Sequence, residues 1–140
     1  TEKPTEDWTA LGVTPRNGPL APGLGASILL PQGRKGPAFL VYPNYRVLFE
    51  WNQSFVYVTT AAYFGTRIEG AQPYAAGSPD PALAVDQMTA LQEKLAAHGH
   101  DVGKIDGILG AGTRTAVQKE QIRLGLPADG WPTRGLLDAL

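Results

Sequence analysis

Residues able to bind a metal ion are scarce in this chain. The 140 residues include two histidines, His98 and His100, and no cysteine, whereas a structural zinc site takes four nitrogen or sulfur ligands. Asp-Gly steps at 106–107 and 129–130 lack the spaced acidic ligands and the final glutamate of a calcium-binding EF-hand loop. We therefore predict no metal site and no cofactor, and the lack of cysteine excludes disulfides.

A second candidate site lies at 50–54, where the sequence is EWNQS. The Glu50 carboxylate could have a direct catalytic role, or it could be a solvated charge on a helix. Asn52 and Ser54 are residue types that cap helix N-termini, and an apolar segment begins just after them. Residues 52–54 also match the N-glycosylation sequon, which we set aside. The stretch therefore has both a functional and a purely structural explanation.

The charge balance excludes several classes of partner. Twelve basic and 13 acidic residues give a net charge of −1, so we predict no binding to nucleic acid or to an anionic membrane. No apolar run is long enough to suggest a transmembrane segment, and the first residues, TEKPTED, do not resemble a signal peptide. The hydrophobic content of 43% allows a packed core in one domain or two small ones.

The first half of the chain predicts a β-hairpin followed by helices. Short apolar runs at 27–30 and 38–42 flank a turn-rich segment, which is typical of a hairpin. Segment 44–70 predicts one or two helices, the last of them apolar on nearly every side, as buried helices are. Residues 1–26 are rich in Pro and Gly and are expected to be a tail or to lack a packing partner. Too few elements are present to bury the long helix, so we infer that this half belongs to a larger domain.

The last sixty or so residues indicate a small helical module. A linker rich in Pro and Gly at 71–82 precedes it. Apolar spacings of three and four predict a helix from Val85 and another from about 113 to 124, and Thr133 is the expected N-cap of a short third helix. The glycine-rich corner at 103–113 predicts a tight turn between the first two. A weak pseudo-repeat pairs Gln92, Asp106-Gly107 and Thr113 with Gln121, Asp129-Gly130 and Thr133.

The second half contains a long ordered set of residues: Leu91, Gln92, Leu95, Gly99, Gly103, Asp106, Gly107, Gly110, Thr113, Ala116, Val117, Gln121, Gly125, Leu126, Asp129, Gly130, Thr133 and Leu137. In these residues and their order, the second half resembles the type 1 peptidoglycan-binding domain, a three-helix module of cell-wall enzymes. The sequence departs from that family at Glu120, where an aromatic or aliphatic residue is usual on the inward helix face. The resemblance implies binding to peptidoglycan, through its glycan strands or its peptide stems.

Two groups of residues in this module receive predicted roles. Arg114 and Trp131 are expected to be exposed and are candidates for contact with peptide stems or glycan. The remaining group is expected to be structural, because Asp-Gly turns cap backbone amides: Asp106, Gly107, Gly110, Asp129 and Gly130.

The first half contains a second ordered set of residues: Gly36 to Phe39, Asn44-Tyr45, Trp51-Asn52, Ser54 and the predicted helix to Ile68. In these residues the first half resembles the closing part of the catalytic domain of membrane-bound lytic murein transglycosylase B and its soluble relatives. Gln53 stands where that family commonly has a basic residue. The implied fold class is mainly α with a β-hairpin, an α+β remnant of a lysozyme-like catalytic domain, followed by the three-helix module. The predicted domains are a catalytic portion at 1–70, a linker at 71–82 and the binding module at 83–140.

The resemblance implies a lytic murein transglycosylase, a lyase that cleaves the β-1,4 bond between N-acetylmuramic acid and N-acetylglucosamine to leave a 1,6-anhydro end. One glutamate, in a Glu-Ser step, acts in that family as acid and then as base. This chain contains no Glu-Ser step, so we predict no catalytic residue here. Asn52 is expected to line the sugar cleft, unless it is only a helix cap. Trp51 could stack on a sugar or pack in the core.

These expectations leave more than one function open. The first is part of a transglycosylase, with an upstream catalytic half in the same protein or in a separate chain, and we expect the 140 residues alone to be inactive. The second is a non-catalytic wall-binding or targeting fragment, and a third is an independent helical domain with a tail. The resemblance to cell-wall enzymes predicts a location in the periplasm or bacterial cell envelope.

Overall fold

The computed structural model describes residues 1–16, 18–52 and 54–140, and they divide into two compact units. The first unit comprises Thr1–Leu29 and Ala38–Gln72, and the second comprises Leu30–Pro37 and Pro73–Leu140. The short segment Leu30–Pro37 therefore belongs to the second unit, although the strands on either side of it belong to the first.

A three-stranded antiparallel sheet, in the order β1-β2-β3, forms part of the first unit. Strand β1 is Glu2–Pro4, β2 is Gly25–Leu29 and β3 is Phe39–Val41. Ser27 of β2 lies opposite Glu2 on one side and opposite Val41 on the other. Strands β2 and β3 confirm the predicted hairpin, and β1 adds a third strand that the sequence analysis did not predict.

Residues 2–10 form regular structure, whereas the sequence analysis expected residues 1–26 to be a tail or to lack a packing partner. Helix α1, Thr5–Ala10, follows β1 directly. Thr5 is buried, and its hydroxyl donates to the carbonyl of Ala21 at 2.8 Å. The Trp8 indole donates to the carbonyl of Ala26 at 2.8 Å. These hydrogen bonds connect residues 16 to 18 positions apart in sequence, so local propensity could not reveal them.

Two helices complete the first unit, α2 (Tyr45–Trp51) and α3 (Phe55–Ile68). Tyr45 is buried, and its hydroxyl lies 2.6 Å from the hydroxyl of Thr59 on α3, which joins the two helices. Burial raises the pKa of Tyr45, an effect that this hydrogen bond partly offsets. Among the described residues of α3, Val58 is the one that is fully buried.

The second unit contains the three predicted helices, α4 (Val85–Ala97), α5 (Ala111–Arg123) and α6 (Arg134–Ala139). The Thr133 hydroxyl accepts from the amide of Leu136 at 3.2 Å, which makes Thr133 the N-cap of α6. Helix α5 begins two residues before the predicted position. Apolar side chains from all three helices and from Val102, which precedes α5, meet in one core: Met88, Leu91, Leu95, Val102, Ala116, Val117, Leu136 and Leu137.

Candidate functional site

Asn52 lies at the junction between α2 and α3 in the first unit. It follows α2 with an extended backbone, and its side-chain oxygen accepts from the amide of Ser54 at 2.8 Å. Ser54, rather than Asn52, is the N-cap of α3, because its hydroxyl accepts from the amide of Tyr57 at 3.3 Å. The Asn52 oxygen therefore stabilises the junction, and this contact does not use the two N–H groups of the same amide. Gln53 lies outside the described residues.

Trp51 presents its indole ring at the surface of the first unit. The residue is 65% exposed in this chain, so it is not part of the unit's core. The Tyr57 ring, also exposed, lies beside it with centroids 5.4 Å apart and planes at 58°. The sequence analysis did not select Tyr57, although its position six residues after Trp51 and just inside the next predicted helix could have pointed to it. Glu50, on the same turn of helix, is exposed.

In the second unit, the side chain of Gln92 holds the first Asp-Gly turn. Its oxygen accepts from the amides of Asp106 and Gly107, at 3.0 and 2.8 Å. The Asp106 carboxylate accepts from the amide of Ile108 at 2.9 Å. Gly107 has a φ of 74°, which favours glycine. Gly110 has an extended backbone with φ of −81° and open space around it, so its conformation does not require glycine.

Gln121 plays the corresponding part at the second Asp-Gly turn. Its oxygen accepts from the amide of Gly130 at 2.9 Å, and its nitrogen donates to the Asp129 carboxylate at 2.9 Å. That carboxylate also accepts from the amides of Trp131 and Arg34. Although burial alone would raise the pKa of Asp129, these hydrogen bonds lower it. The pseudo-repeat thus corresponds to a glutamine that holds an Asp-Gly turn, made twice in the module.

The structure brings Arg114 and Trp131 together, but it buries the indole that the sequence analysis expected to be exposed. Trp131 is 9% exposed and donates its ring N–H to the carbonyl of Asp80 at 3.0 Å. The Arg114 guanidinium lies 5.8 Å from the centroid of that ring and donates to the carbonyl of Pro31 at 2.7 Å. Burial lowers the pKa of Arg114, and the charge of Asp129 partly offsets the effect.

The segment Leu30–Pro37 supplies the atoms that cover this pair. A side chain at Gly33 would place its first carbon 2.6 Å from the Cβ of Trp131, so glycine permits the close approach. The Lys35 ammonium lies 2.7 Å from the Asp80 carboxylate, and the Lys35 carbonyl accepts from the amide of Ser78 at 2.8 Å. Sequence reasoning missed this packing because it joins residues more than forty positions apart.

Glu120 is buried on α5 as a charged group with three partners. Its side chain is 3% exposed, and Arg123 donates to one carboxylate oxygen at 2.7 Å. Ring nitrogens of His100 and His98 lie 2.7 and 3.4 Å from the other oxygen. The hydrogen bond from Arg123 lowers the pKa of Glu120 most, burial opposes it, and both histidines add to the lowering, giving a pKa of about 2. The charged residue is accommodated by this network.

Two further observations limit the chemistry of the described residues. No group of three or more His, Asp or Glu side chains in this part of the chain is arranged to hold a metal ion. None of the helices in the described ranges combines the length and the apolar character needed to span a bilayer.

Comparisons with known proteins match each half of the chain to the model of a protein family. Residues 1–66 match the family model of the transglycosylase SLT domain, and residues 85–140 match that of a peptidoglycan binding domain. Residues 1–66 are therefore similar to transglycosylase SLT domains, and residues 85–140 are similar to peptidoglycan-binding domains.

Among solved structures, two crystal structures of SltB3 from Pseudomonas aeruginosa are similar to the chain. Each is 41% identical and superimposes with a TM-score of 0.77 over 99% of this chain and 39% of SltB3. One contains NAG-anhNAM-pentapeptide and the other NAG-NAM-pentapeptide. The 140 residues thus span about two fifths of the length of SltB3. A search of curated protein sequences found no match.

Proposed function

We propose that these 140 residues are part of a peptidoglycan lytic transglycosylase that cleaves the β-1,4 bond between N-acetylmuramic acid and N-acetylglucosamine and leaves 1,6-anhydro ends. The observation that carries the proposal is the 41% identity to SltB3 over nearly the whole chain. SltB3 was crystallised with a ligand that has an anhydro sugar and a pentapeptide. The family matches on both halves support the same function.

We assign a different role to each of three consecutive parts of the chain. Residues 1–70 supply part of the catalytic domain, 71–82 act as a linker, and 83–140 bind the cell wall. The matched ranges, 1–66 and 85–140, support these bounds. The 39% coverage of SltB3 supports an upstream catalytic half as a partner, in the same protein or in another chain. Because peptidoglycan lies in the cell envelope, we expect the protein in the periplasm or bacterial cell envelope.

In the first unit, Trp51 and Asn52 are the proposed substrate-binding residues. An exposed aromatic ring offers an apolar face for a sugar, and Tyr57 enlarges the surface beside the Trp51 indole. The amide nitrogen of Asn52 is a donor that could hold a sugar acetamido or hydroxyl oxygen. Its oxygen is already used by the amide of Ser54. Binding and structural roles therefore fall on different atoms of one side chain.

Two substitutions at Asn52 separate these roles in a longer protein that includes the upstream catalytic half. Asn52→Asp keeps an oxygen for the Ser54 amide but loses the donor, so we expect normal unfolding and a loss of about tenfold to a hundredfold in turnover of purified sacculi. Asn52→Ala should lose both stability and turnover. Gln118→Glu, the same amide-to-carboxylate change at an exposed position on α5, is the control. Full turnover by the folded Asp variant would reduce Asn52 to a structural role.

The alternative is a non-catalytic wall-binding fragment, which the separate helical core of the second unit favours. The 140 residues contain no Glu-Ser step, so under either proposal we expect the isolated chain to bind insoluble peptidoglycan and to release no anhydro-muropeptides. Co-sedimentation with sacculi, followed by analysis of the supernatant, measures both. Release of anhydro products by the pure chain would contradict the inference that its acid lies elsewhere.

A further inference from the structure

A groove on the second unit has chemistry that neither the Asp-Gly turns nor the Arg114–Trp131 pair uses. It has a volume of about 300 Å³ and lies between the segment after α4 and one side of α5. His100 and Asp101 form one wall, and Thr115 and Lys119 are on the other. This volume is at the lower end for ligand sites, which suits one or two amino acid residues better than a long glycan.

Two opposite charges line this groove. Within the described residues Lys119 makes no ion pair, and it is exposed on α5. Asp101 is also exposed, and one of its two carboxylate oxygens accepts from the amide of Gly103 at 3.0 Å, which fixes the carboxylate. A ligand that carries an amine and a carboxylate close together would match both charges.

The wall that carries His100 is held in place by the buried Glu120. The Nε2 atom of His100 lies 2.7 Å from the Glu120 carboxylate, and because a carboxylate only accepts, this nitrogen carries the proton. Arg123 fixes the carboxylate from the other side. The groove is therefore bounded by a positioned ring rather than by a mobile side chain. Glu120 is also the residue at which the sequence departs from the family pattern.

The floor of the groove is formed by small residues, which leaves room for a peptide backbone. Gly112 packs so closely on the preceding segment that an added side chain would lie 3.1 Å from the backbone of Val102. Ala111 and Ala116 continue the same side of α5. No Trp, Tyr or Phe is among the residues that line the groove, whereas an aromatic face is the surface expected for a sugar ring.

We propose that this groove binds the peptide stem of peptidoglycan at its diamino acid, with the ligand's carboxylate toward Lys119 and its amine toward Asp101. Meso-diaminopimelate, a diamino acid of such stems, ends in an amine and a carboxylate on one carbon. The inference rests on the proposed wall-binding function of the module. It adds to that function a class of ligand and a location for the binding site, on the side of α5 next to His100.

The test is an NMR titration of the isotope-labelled 140-residue chain. The probe is the tetrapeptide L-Ala-γ-D-Glu-meso-diaminopimelate-D-Ala, and we expect it to shift the amide signals of Gly112, Thr115 and Lys119. Lys119→Gln should weaken binding about threefold to fivefold, as for an exposed charge pair. Lys104→Gln, at an exposed lysine outside the groove, is the matched control and should leave the affinity unchanged.

A second arm tests the amine contact directly. With the diaminopimelate amine acetylated, the peptide should bind more weakly, and Asp101→Asn should then have no further effect, because both changes remove the same contact. Asparagine keeps an oxygen for the Gly103 amide, so folding should be retained. Independent, additive losses would contradict the assigned orientation.

Two outcomes would overturn the proposal while leaving the wall-binding function intact. One is that the peptide-free disaccharide of N-acetylglucosamine and N-acetylmuramic acid shifts these amides and the peptide does not. The other is that neither probe shifts them although the chain still co-sediments with sacculi. If the unmodified chain did not co-sediment with sacculi at all, the wall-binding function on which the proposal rests would itself be contradicted.

Discussion

The buried carboxylate of Glu120 predicts a specific dependence of the second unit's stability on pH. In the folded protein its pKa is about 2, against an ordinary value of 4.5. At about 1.4 kcal/mol for each tenfold change in proton affinity, this lowering corresponds to roughly 3 kcal/mol of unfolding free energy. Because the folded pKa is depressed, that stability is present above pH 4.5 and is lost as the pH falls through 2.

The substitution that isolates this effect is Glu120→Gln, which keeps the shape of the side chain and removes the charge. We expect the variant to be less stable than the parent by about 3 kcal/mol at pH 7 and to match it near pH 2. Glu93→Gln changes an exposed glutamate on α4 and serves as the control, with an expected change under about 0.5 kcal/mol.

Urea unfolding followed by the fluorescence of Trp131 is the assay. The chain has three tryptophans, so replacing Trp8 and Trp51 with Phe leaves one reporter, in the second unit. The difference in unfolding free energy between parent and Glu120→Gln is then measured from pH 7 to pH 2. A difference that stays constant over this range, or that is absent at pH 7, would refute the assignment of the pH dependence to Glu120.

Two further predictions concern the turn between α4 and α5. Gln92→Leu leaves two turn amides without their acceptor and should lower the unfolding free energy by about 1–3 kcal/mol in urea titrations. The control, Gln118→Leu at an exposed position on α5, should change it little. Equal effects of the two substitutions would contradict the assigned contacts. Gly107→Ala should lower the free energy of unfolding by at least about 1–2 kcal/mol in thermal unfolding, because φ is 74° and the new carbon would lie 2.6 Å from a side-chain carbon of Val85. Gly110→Ser, at an N-cap with open space around it, should be neutral or stabilising. A destabilised Ser variant together with a stable Ala variant would reverse this account of the two glycines.

Features set by neighbouring residues were predictable from the sequence. The hairpin strands, the helices of the second unit and the cap at Thr133 depend on apolar spacing, turn residues and a hydroxyl at the right position. The Asp-Gly turns were also readable, because Asp and Gly favour such turns locally. The sequence even paired Gln92 with Gln121, although it did not reveal that each glutamine side chain holds a turn.

Features set by distant contacts were not predictable. Strand β1 contains Glu, Lys and Pro, which are poor strand formers, and it exists through pairing with β2. Trp131 looked exposed because it follows a turn, yet the carbonyl of Asp80 and the close approach of Gly33 bury it. The charge of Glu120 looked misplaced on an inward helix face, because two of its partners, His98 and His100, lie 22 and 20 residues away in sequence.

For the candidate site residues, too, the sequence supplied one part of the description and the fold supplied the rest. Trp51 and Asn52 came from a resemblance, and the structure adds the neighbouring ring of Tyr57 and the contact to Ser54. Their roles in substrate binding stay predictions until variants are measured. The groove beside His100 has no motif in the sequence, since its walls come from two segments that only the fold brings together.

The most direct test of the proposed function is mass spectrometry of the muropeptides released from purified sacculi by a protein that contains these 140 residues and its upstream catalytic half. A lytic transglycosylase releases disaccharide peptides that end in 1,6-anhydro-N-acetylmuramic acid, each lighter than the hydrolytic product by one water. We predict that these anhydro products dominate. Products that end only in the hydrated sugar, or no products from an enzyme that binds sacculi, would contradict the account.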